Sequence, residues 1–138
     1  MAQKPIGTPI RRTDAIAKAS GTEMYLSDMY FEGMIYARMV RSTIARGTIT
    51  HIELPELPEG YHFITVQDIP EGGKNELVMI KNDYRCFAEG DVRYIGETIG
   101  LLVGPDRTVL ADLLEQISIT YDQMTPAITI EEGLACTG

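Results

Sequence analysis

The sequence is poor in cysteine, and this scarcity limits both its compartment and its chemistry. Cys86 and Cys136 are the only two cysteines in 138 residues, and no Cys-x-x-Cys spacing occurs. Widely separated cysteines of this kind are typical of reduced thiols in a reducing compartment. We therefore expect no disulfide between them and a cytoplasmic location.

Long apolar runs and clustered basic residues are also missing. The longest apolar run, Ile99–Val103, is far shorter than the roughly 20 residues that a membrane span needs. The N-terminal stretch has no apolar segment that could act as a secretion signal. The net charge of -8 disfavours the basic surface that nucleic acid or an anionic membrane would require. We expect neither of those partners.

Motifs that carry catalysis are absent as well. His51 and His62 lie in predicted strands and have no His, Cys or carboxylate at metal-ligand spacing. Gly100 and Gly104 lack the Lys and the Ser or Thr of a phosphate-binding loop. Ser42 is outside any Gly-x-Ser-x-Gly motif, so we expect its hydroxyl to cap backbone groups at a bend.

Two other features have simple structural interpretations. Lys81 in VMIKND resembles the methionine-flanked lysine that carries biotin, but Asn82 stands where the second methionine belongs. A solvated lysine at a strand end is therefore favoured. Glu131 and Glu132 are attributed to an acidic, solvated surface. The sequence predicts no catalytic residue, no cofactor-binding residue and no metal-binding residue in this chain.

The length predicts one domain with a single core. Residues 1–13 carry two prolines, a glycine and an arginine pair, which is typical of an arm or linker, and residues 14–138 form the predicted domain. Met24 and Leu26 alternate with polar neighbours, which predicts a short strand. The apolar segment Gly33–Val40 predicts a central strand covered on both faces.

A corner at Arg41 and Ser42 follows that segment. A guanidinium has a fixed fork of donors, so Arg41 is expected to hold carbonyls or a carboxylate of a facing element or to make an interdomain contact. The alternative is an Arg41 side chain that is free in solvent. Four short strands are predicted after this corner, at residues 47–54, 61–66, 76–80 and 91–96. A surface loop of turn-forming residues is predicted between the second and third of them, at residues 70–76.

The most regular pattern is a strand, helix, strand unit at residues 98–122. Thr98–Gly104 is predicted to be a buried strand, and Asp106 is a predicted N-cap for the helix RTVLADLLEQ. Apolar residues four apart form one stripe on that helix. The segment ISITYD then alternates, so Ile117, Ile119 and Tyr121 should point to the same side.

Four blocks of the chain resemble, in order, the molybdenum-binding subunit of xanthine dehydrogenases and aldehyde oxidases. RTDAIAKASGTEMYLSD is similar to that family's opening signature through Arg12, Asp14, Lys18, Gly21, Tyr25 and Asp28. GMIYARMVRS resembles the second block, and ISITYDQMTPAITIEEGL resembles the domain end. VRYIGETIGLLVG resembles the third block through Val92, Tyr94, Gly96, Glu97 and Val103.

The resemblance implies an α+β fold, the α/β hammerhead, with short strands in a mixed sheet and one or two packed helices. In the parent enzymes a molybdenum centre oxidises purines or aldehydes with water as the oxygen source. Their cofactors are molybdopterin with molybdenum, iron-sulfur clusters and FAD. The implied partners are the molybdopterin-binding domain of the same subunit and the iron-sulfur and FAD domains or subunits. The family's pterin-binding and base residues lie in later parts of its chain, so none is carried over.

The sequence departs from the family pattern at two points, and other functions stay open. STIARG replaces the usual Ser followed by Pro, His and Ala, and Glu97 stands where Gln is common. We expect a scaffold domain that is inactive as an isolated chain. One alternative is a free-standing binding or assembly module with the same fold. Another is a biotin or lipoyl carrier that uses Lys81.

Overall fold

The computed structural model describes residue 7, residues 9–78 and residues 84–135. The chain divides into two compact units, with the boundary between Met34 and Ile35. Helix α1 spans Ala15–Ala19 in the first unit, and a single 3-10 turn spans Leu26–Asp28. The strand expected around Met24 and Leu26 is wrong, because the Asp28 carboxylate accepts a hydrogen bond from the Tyr25 amide at 3.0 Å and closes a turn there.

The first sheet of the second unit has the order β1, β5, β3. Its strands are β1 (Tyr36–Arg41), β3 (His62–Ile64) and β5 (Thr98–Gly104). β5 matches its predicted limits and is the central strand. The prediction that Gly33–Val40 forms a central strand is wrong: among the described residues β1 pairs with β5 alone and lies at the edge of the sheet. Ala37, Arg38 and Met39 are exposed.

The second sheet has the order β4, β2, β6. Its strands are β2 (Gly47–Glu53), β4 (Asp91–Val92) and β6 (Ser118–Gln123). Every strand pair within the described residues is antiparallel, so two antiparallel sheets replace the expected mixed sheet while the α+β class is confirmed. β5 and β6 lie in different sheets, which shows that the strand, helix, strand unit connects two sheets.

Helix α2 (Arg107–Gln116) follows its predicted N-cap residue, Asp106, whose side chain accepts hydrogen bonds from the amides of Thr108 and Val109. These bonds satisfy amides that the first turn leaves without partners. The apolar stripe is confirmed, since Leu110 and Leu113 are buried. The core lies between α2, β1 and β5 and consists of Val40, Tyr61, Leu102, Leu110 and Leu113.

The remaining elements are short. Helix α3 (Ile130–Ala135) begins with a reciprocal cap: Glu132 accepts from the Thr129 amide at 3.0 Å, and Thr129 Oγ1 accepts from the Glu132 amide at 3.1 Å. Glu132 is therefore a capping residue as well as an exposed one, which corrects its assignment to solvent alone. Leu77 forms an isolated antiparallel bridge with Tyr84.

The predictions for Lys81 and Cys136 fall on residues outside those that the structure describes, and so does the end of the strand predicted at residues 76–80. None of the helices within the described ranges has the length and apolar character needed to cross a membrane.

Candidate functional site

The corner at Ser42 is held by backbone and hydroxyl hydrogen bonds. The Ser42 amide donates to the Glu97 carbonyl, and the Ser42 carbonyl accepts from the Gly96 amide, both at 2.9 Å. Its hydroxyl donates to the Ile44 carbonyl at 2.8 Å and accepts from the Ile44 amide at 3.1 Å. The side chain is buried. The predicted role of the Ser42 hydroxyl, which is to cap backbone groups at a bend, is confirmed.

Arg41 holds the facing loop at the same corner. One guanidinium nitrogen donates to the Gly96 carbonyl at 2.7 Å, and another lies 2.8 Å from the Met39 sulfur. The prediction that Arg41 holds a carbonyl of a facing element is thus confirmed. The corner joins the end of β1 to the loop that precedes β5.

A buried ion pair forms the centre of that loop. The Glu97 side chain is 3% exposed and accepts from Arg85 at 2.8 Å and from the Arg93 amide at 2.6 Å. Each bond uses a different oxygen of the Glu97 carboxylate. Both oxygens of the Glu97 carboxylate therefore take part in structural hydrogen bonds.

Arg85 connects Glu97 to β4. Its guanidinium also donates to the Asp91 carboxylate at 2.6 Å and to the Asp91 carbonyl at 3.1 Å. Burial by itself lowers the pKa of Arg85, but the hydrogen bonds to Asp91 and Glu97 outweigh burial and leave that pKa above its ordinary value. The Arg85 hydrogen bond in turn holds the pKa of Asp91 below its ordinary value of 3.8. Nothing in the local sequence around Arg85 indicated this contact.

A recess of about 350 Å³ lies beside this network. Its lining includes Met39, Tyr84, Cys86, Tyr94 and Leu101. The Tyr94 hydroxyl donates to the Tyr84 hydroxyl at 3.1 Å, and this bond, with partial burial, raises the pKa of Tyr94 to about 12. Tyr84 and Tyr94 therefore line the same recess, and no local sequence pattern indicated their contact because the two residues are ten positions apart.

The residues singled out for metal or cofactor chemistry are not brought together. His51 lies in β2 and His62 in β3, on different sheets, and both are exposed. No group of three or more His, Cys, Asp or Glu side chains that could hold a metal ion occurs within the described ranges. Four cysteine ligands are usual for an iron-sulfur cluster, and the sequence has two cysteines.

A family model matches most of the chain. The family described as "Aldehyde oxidase and xanthine dehydrogenase, a/b hammerhead domain" matches residues 20–125. The chain is 33% identical to a xanthine dehydrogenase/oxidase of Felis catus in an alignment 134 residues long that covers 94% of this chain and 10% of that protein. It is 25% identical to a probable hypoxanthine oxidase of Escherichia coli in an alignment 138 residues long that covers 94% of this chain and 14% of that protein.

Solved structures share the fold. Quinoline 2-oxidoreductase from Pseudomonas putida superimposes with a TM-score of 0.79 at 22% sequence identity, over 96% of this chain and 18% of that one. A Cu,Mo-CO dehydrogenase gives the same TM-score of 0.79 at 22% identity, over 89% of this chain and 16% of that one. At these identities the likeness shows the fold alone. The chain thus spans less than a fifth of the length of each of these proteins.

Proposed function

The chain belongs to the a/b hammerhead domain family of aldehyde oxidase and xanthine dehydrogenase, and we propose that it is the scaffold domain of a xanthine dehydrogenase-type molybdenum hydroxylase. The parent reaction would oxidise a purine or an aldehyde with oxygen from water. Molybdopterin with molybdenum, iron-sulfur clusters and FAD would be bound by other parts of the enzyme. The names of the relatives, a xanthine dehydrogenase/oxidase and a probable hypoxanthine oxidase, support this assignment.

The observation that carries the scaffold role is an uncovered apolar surface in the first unit. None of residues 9–34 is buried. Eight large apolar side chains in this range are exposed to solvent: Ile10, Ile16, Met24, Tyr25, Leu26, Met29, Tyr30 and Phe31. Exposed apolar groups at this density are typical of a surface that another protein domain covers. We name residues 9–34 the uncovered segment.

The proposed partner is the molybdopterin-binding domain of the same subunit, with the iron-sulfur and FAD domains or subunits beyond it. The relatives support this because each is a much longer protein that includes the hammerhead region. We further propose that residues 1–13 act as an arm, that residues 14–138 form one hammerhead domain, and that the enzyme works in the cytoplasm.

We propose that the isolated chain is not catalytic and binds no cofactor of its own. The candidate groups at the corner support this, since the Ser42 hydroxyl and both Glu97 oxygens are engaged in hydrogen bonds within the domain. Purified chain should not turn over hypoxanthine or an aldehyde. Turnover by the chain alone, at a rate that survives repurification, would refute this part of the proposal.

A binding experiment tests the scaffold role directly. The frame downstream of residue 138 is sequenced, and the polypeptide that it encodes is produced separately and titrated with the chain. An open frame of several hundred codons and a stoichiometric complex are expected. A stop codon shortly after residue 138, or a downstream polypeptide that does not bind, would favour the free-standing module.

Matched charge substitutions show which surface is used. Phe31→Glu places a carboxylate on the uncovered segment at a side chain that is 64% exposed, so it should weaken the complex without unfolding the chain. Glu115→Lys alters an exposed position on α2 and serves as the control. Equal affinity of the two variants would show that the uncovered segment is not the contact surface.

A further inference from the structure

Tyr84 and Tyr94 form a close aromatic pair on the surface of the second unit. Their ring centroids are 6.3 Å apart with an interplanar angle of 41°, and their hydroxyl oxygens are 3.1 Å apart. The residues are 48% and 41% exposed, so small oxidants can reach both rings. The hydrogen bond holds the hydroxyl ends of the two rings together.

We propose that Tyr84 and Tyr94 are a site of oxidative modification, at which a peroxide-driven one-electron oxidant joins the two rings through a carbon-carbon bond. Each phenol loses one electron and one proton and becomes a phenoxyl radical. The radicals couple between ortho carbons, and the two ring hydrogens move to the oxygens as both rings regain aromaticity. Overall two electrons and two protons reduce one hydrogen peroxide to two waters.

The geometry favours this pair over the other tyrosines. Tyr30 and Tyr25 are more exposed, at 73% and 55%, but neither has a ring contact with another tyrosine within the described residues. The Tyr36 ring faces the Arg107 guanidinium at 4.5 Å. Because radical coupling requires two radicals in contact, proximity rather than exposure should select the site.

The thiol of Cys86 competes with the coupling of the two tyrosine rings. It is a free, half-buried cysteine and lines the same recess as the two tyrosines. A thiol can return a hydrogen atom to a phenoxyl radical, which would end the reaction before the rings couple. Cys86→Ser should therefore raise the yield of the cross-link or leave it unchanged.

The experiment treats dilute purified chain with a peroxidase and hydrogen peroxide, and then reduces it before intact mass is measured. Reduction matters because a disulfide between Cys86 and Cys136 would also remove two hydrogen atoms, whereas a carbon-carbon link resists reduction. We expect monomeric protein that has lost two hydrogen atoms, dityrosine fluorescence, and one cross-linked peptide pair containing Tyr84 and Tyr94.

Three variants decide the outcome. Tyr84→Phe and Tyr94→Phe keep the ring packing but should each lose the intramolecular fluorescence and the mass change. Tyr30→Phe, at a more exposed position without a ring partner, should keep both. Cross-links spread over other tyrosines, products that are only intermolecular, or an unchanged yield in Tyr84→Phe would overturn the proposal.

Discussion

The two compact units of the chain differ in the burial of their apolar side chains. In the second unit, α2 and the sheet containing β5 enclose a core in which Leu102 and Leu110 are fully buried. The uncovered segment has only a five-residue helix and a 3-10 turn, and it buries none of its side chains. Apolar content alone therefore does not make a core, because burial requires two layers that face each other.

The largest expected difference between the units concerns matched leucine substitutions. Leu102→Ala removes a fully buried side chain from the central strand, and we expect a loss of roughly 3–5 kcal/mol in the free energy of unfolding. Leu26→Ala removes a side chain that is 89% exposed and should change that free energy by less than about 0.5 kcal/mol. Urea denaturation followed by far-UV circular dichroism measures both. Similar losses in the free energy of unfolding for the two variants would contradict the difference in burial between the two units.

The next effect tests the ion pair that holds the loop before β5. Glu97→Ala leaves the Arg85 guanidinium with only its Asp91 contacts, and we expect a loss of about 2–3 kcal/mol in the free energy of unfolding. Glu97→Gln keeps an oxygen that can accept one of the two hydrogen bonds, so it should lose less. If Glu97→Ala were as stable as the unchanged chain, the buried pair would have no role in stability.

A smaller effect compares the two helix starts. Asp106 caps α2 through two backbone amides, whereas Asp14 makes no side-chain cap on α1 and instead pairs with Arg12 and Lys18. We expect Asp106→Ala to lower the urea midpoint measurably and Asp14→Ala to leave it nearly unchanged, because exposed ion pairs contribute little. The reverse order would mean that α1 contributes more to folding than α2.

The Asp106 cap also gives a pH dependence with a definite sign. The amide hydrogen bonds from Val109 and Thr108 lower the pKa of Asp106 below its ordinary value of 3.8. A depressed carboxyl pKa stabilises the folded state above that ordinary value, and this contribution disappears as the pH falls through the folded-state pKa. The midpoint difference between the unchanged chain and Asp106→Ala should therefore be constant near neutral pH and shrink below about pH 3.8. A difference that grows on acidification would contradict the cap.

The sequence predicted the limits of secondary-structure elements best where local interactions determine those limits. β5 and α2 were located at their observed limits because Asp106 caps the helix and the apolar period of α2 matches its buried face. The prediction of a short strand around Met24 was wrong because the Tyr25 amide donates a hydrogen bond to the Asp28 carboxylate and closes a turn, which alternation alone cannot reveal.

Long-range features were harder to predict. The central position went to β5 rather than β1, since the order of strands depends on pairing partners and not on the apolar content of one strand. Arg41 was expected to hold a carbonyl, but the contacts of Arg85 with Glu97 and of Tyr84 with Tyr94 had no local signal. Both form between residues ten or more positions apart, brought together by the loop that precedes β5.

The most direct test of the central claim, that the second unit folds around its own core while the uncovered segment needs a covering partner, is amide hydrogen exchange of the purified chain read by mass spectrometry. The account predicts slow exchange in residues 98–104, at a rate set by global unfolding, and fast exchange throughout residues 15–28. Equal, strong protection of the two segments in the chain alone would contradict it.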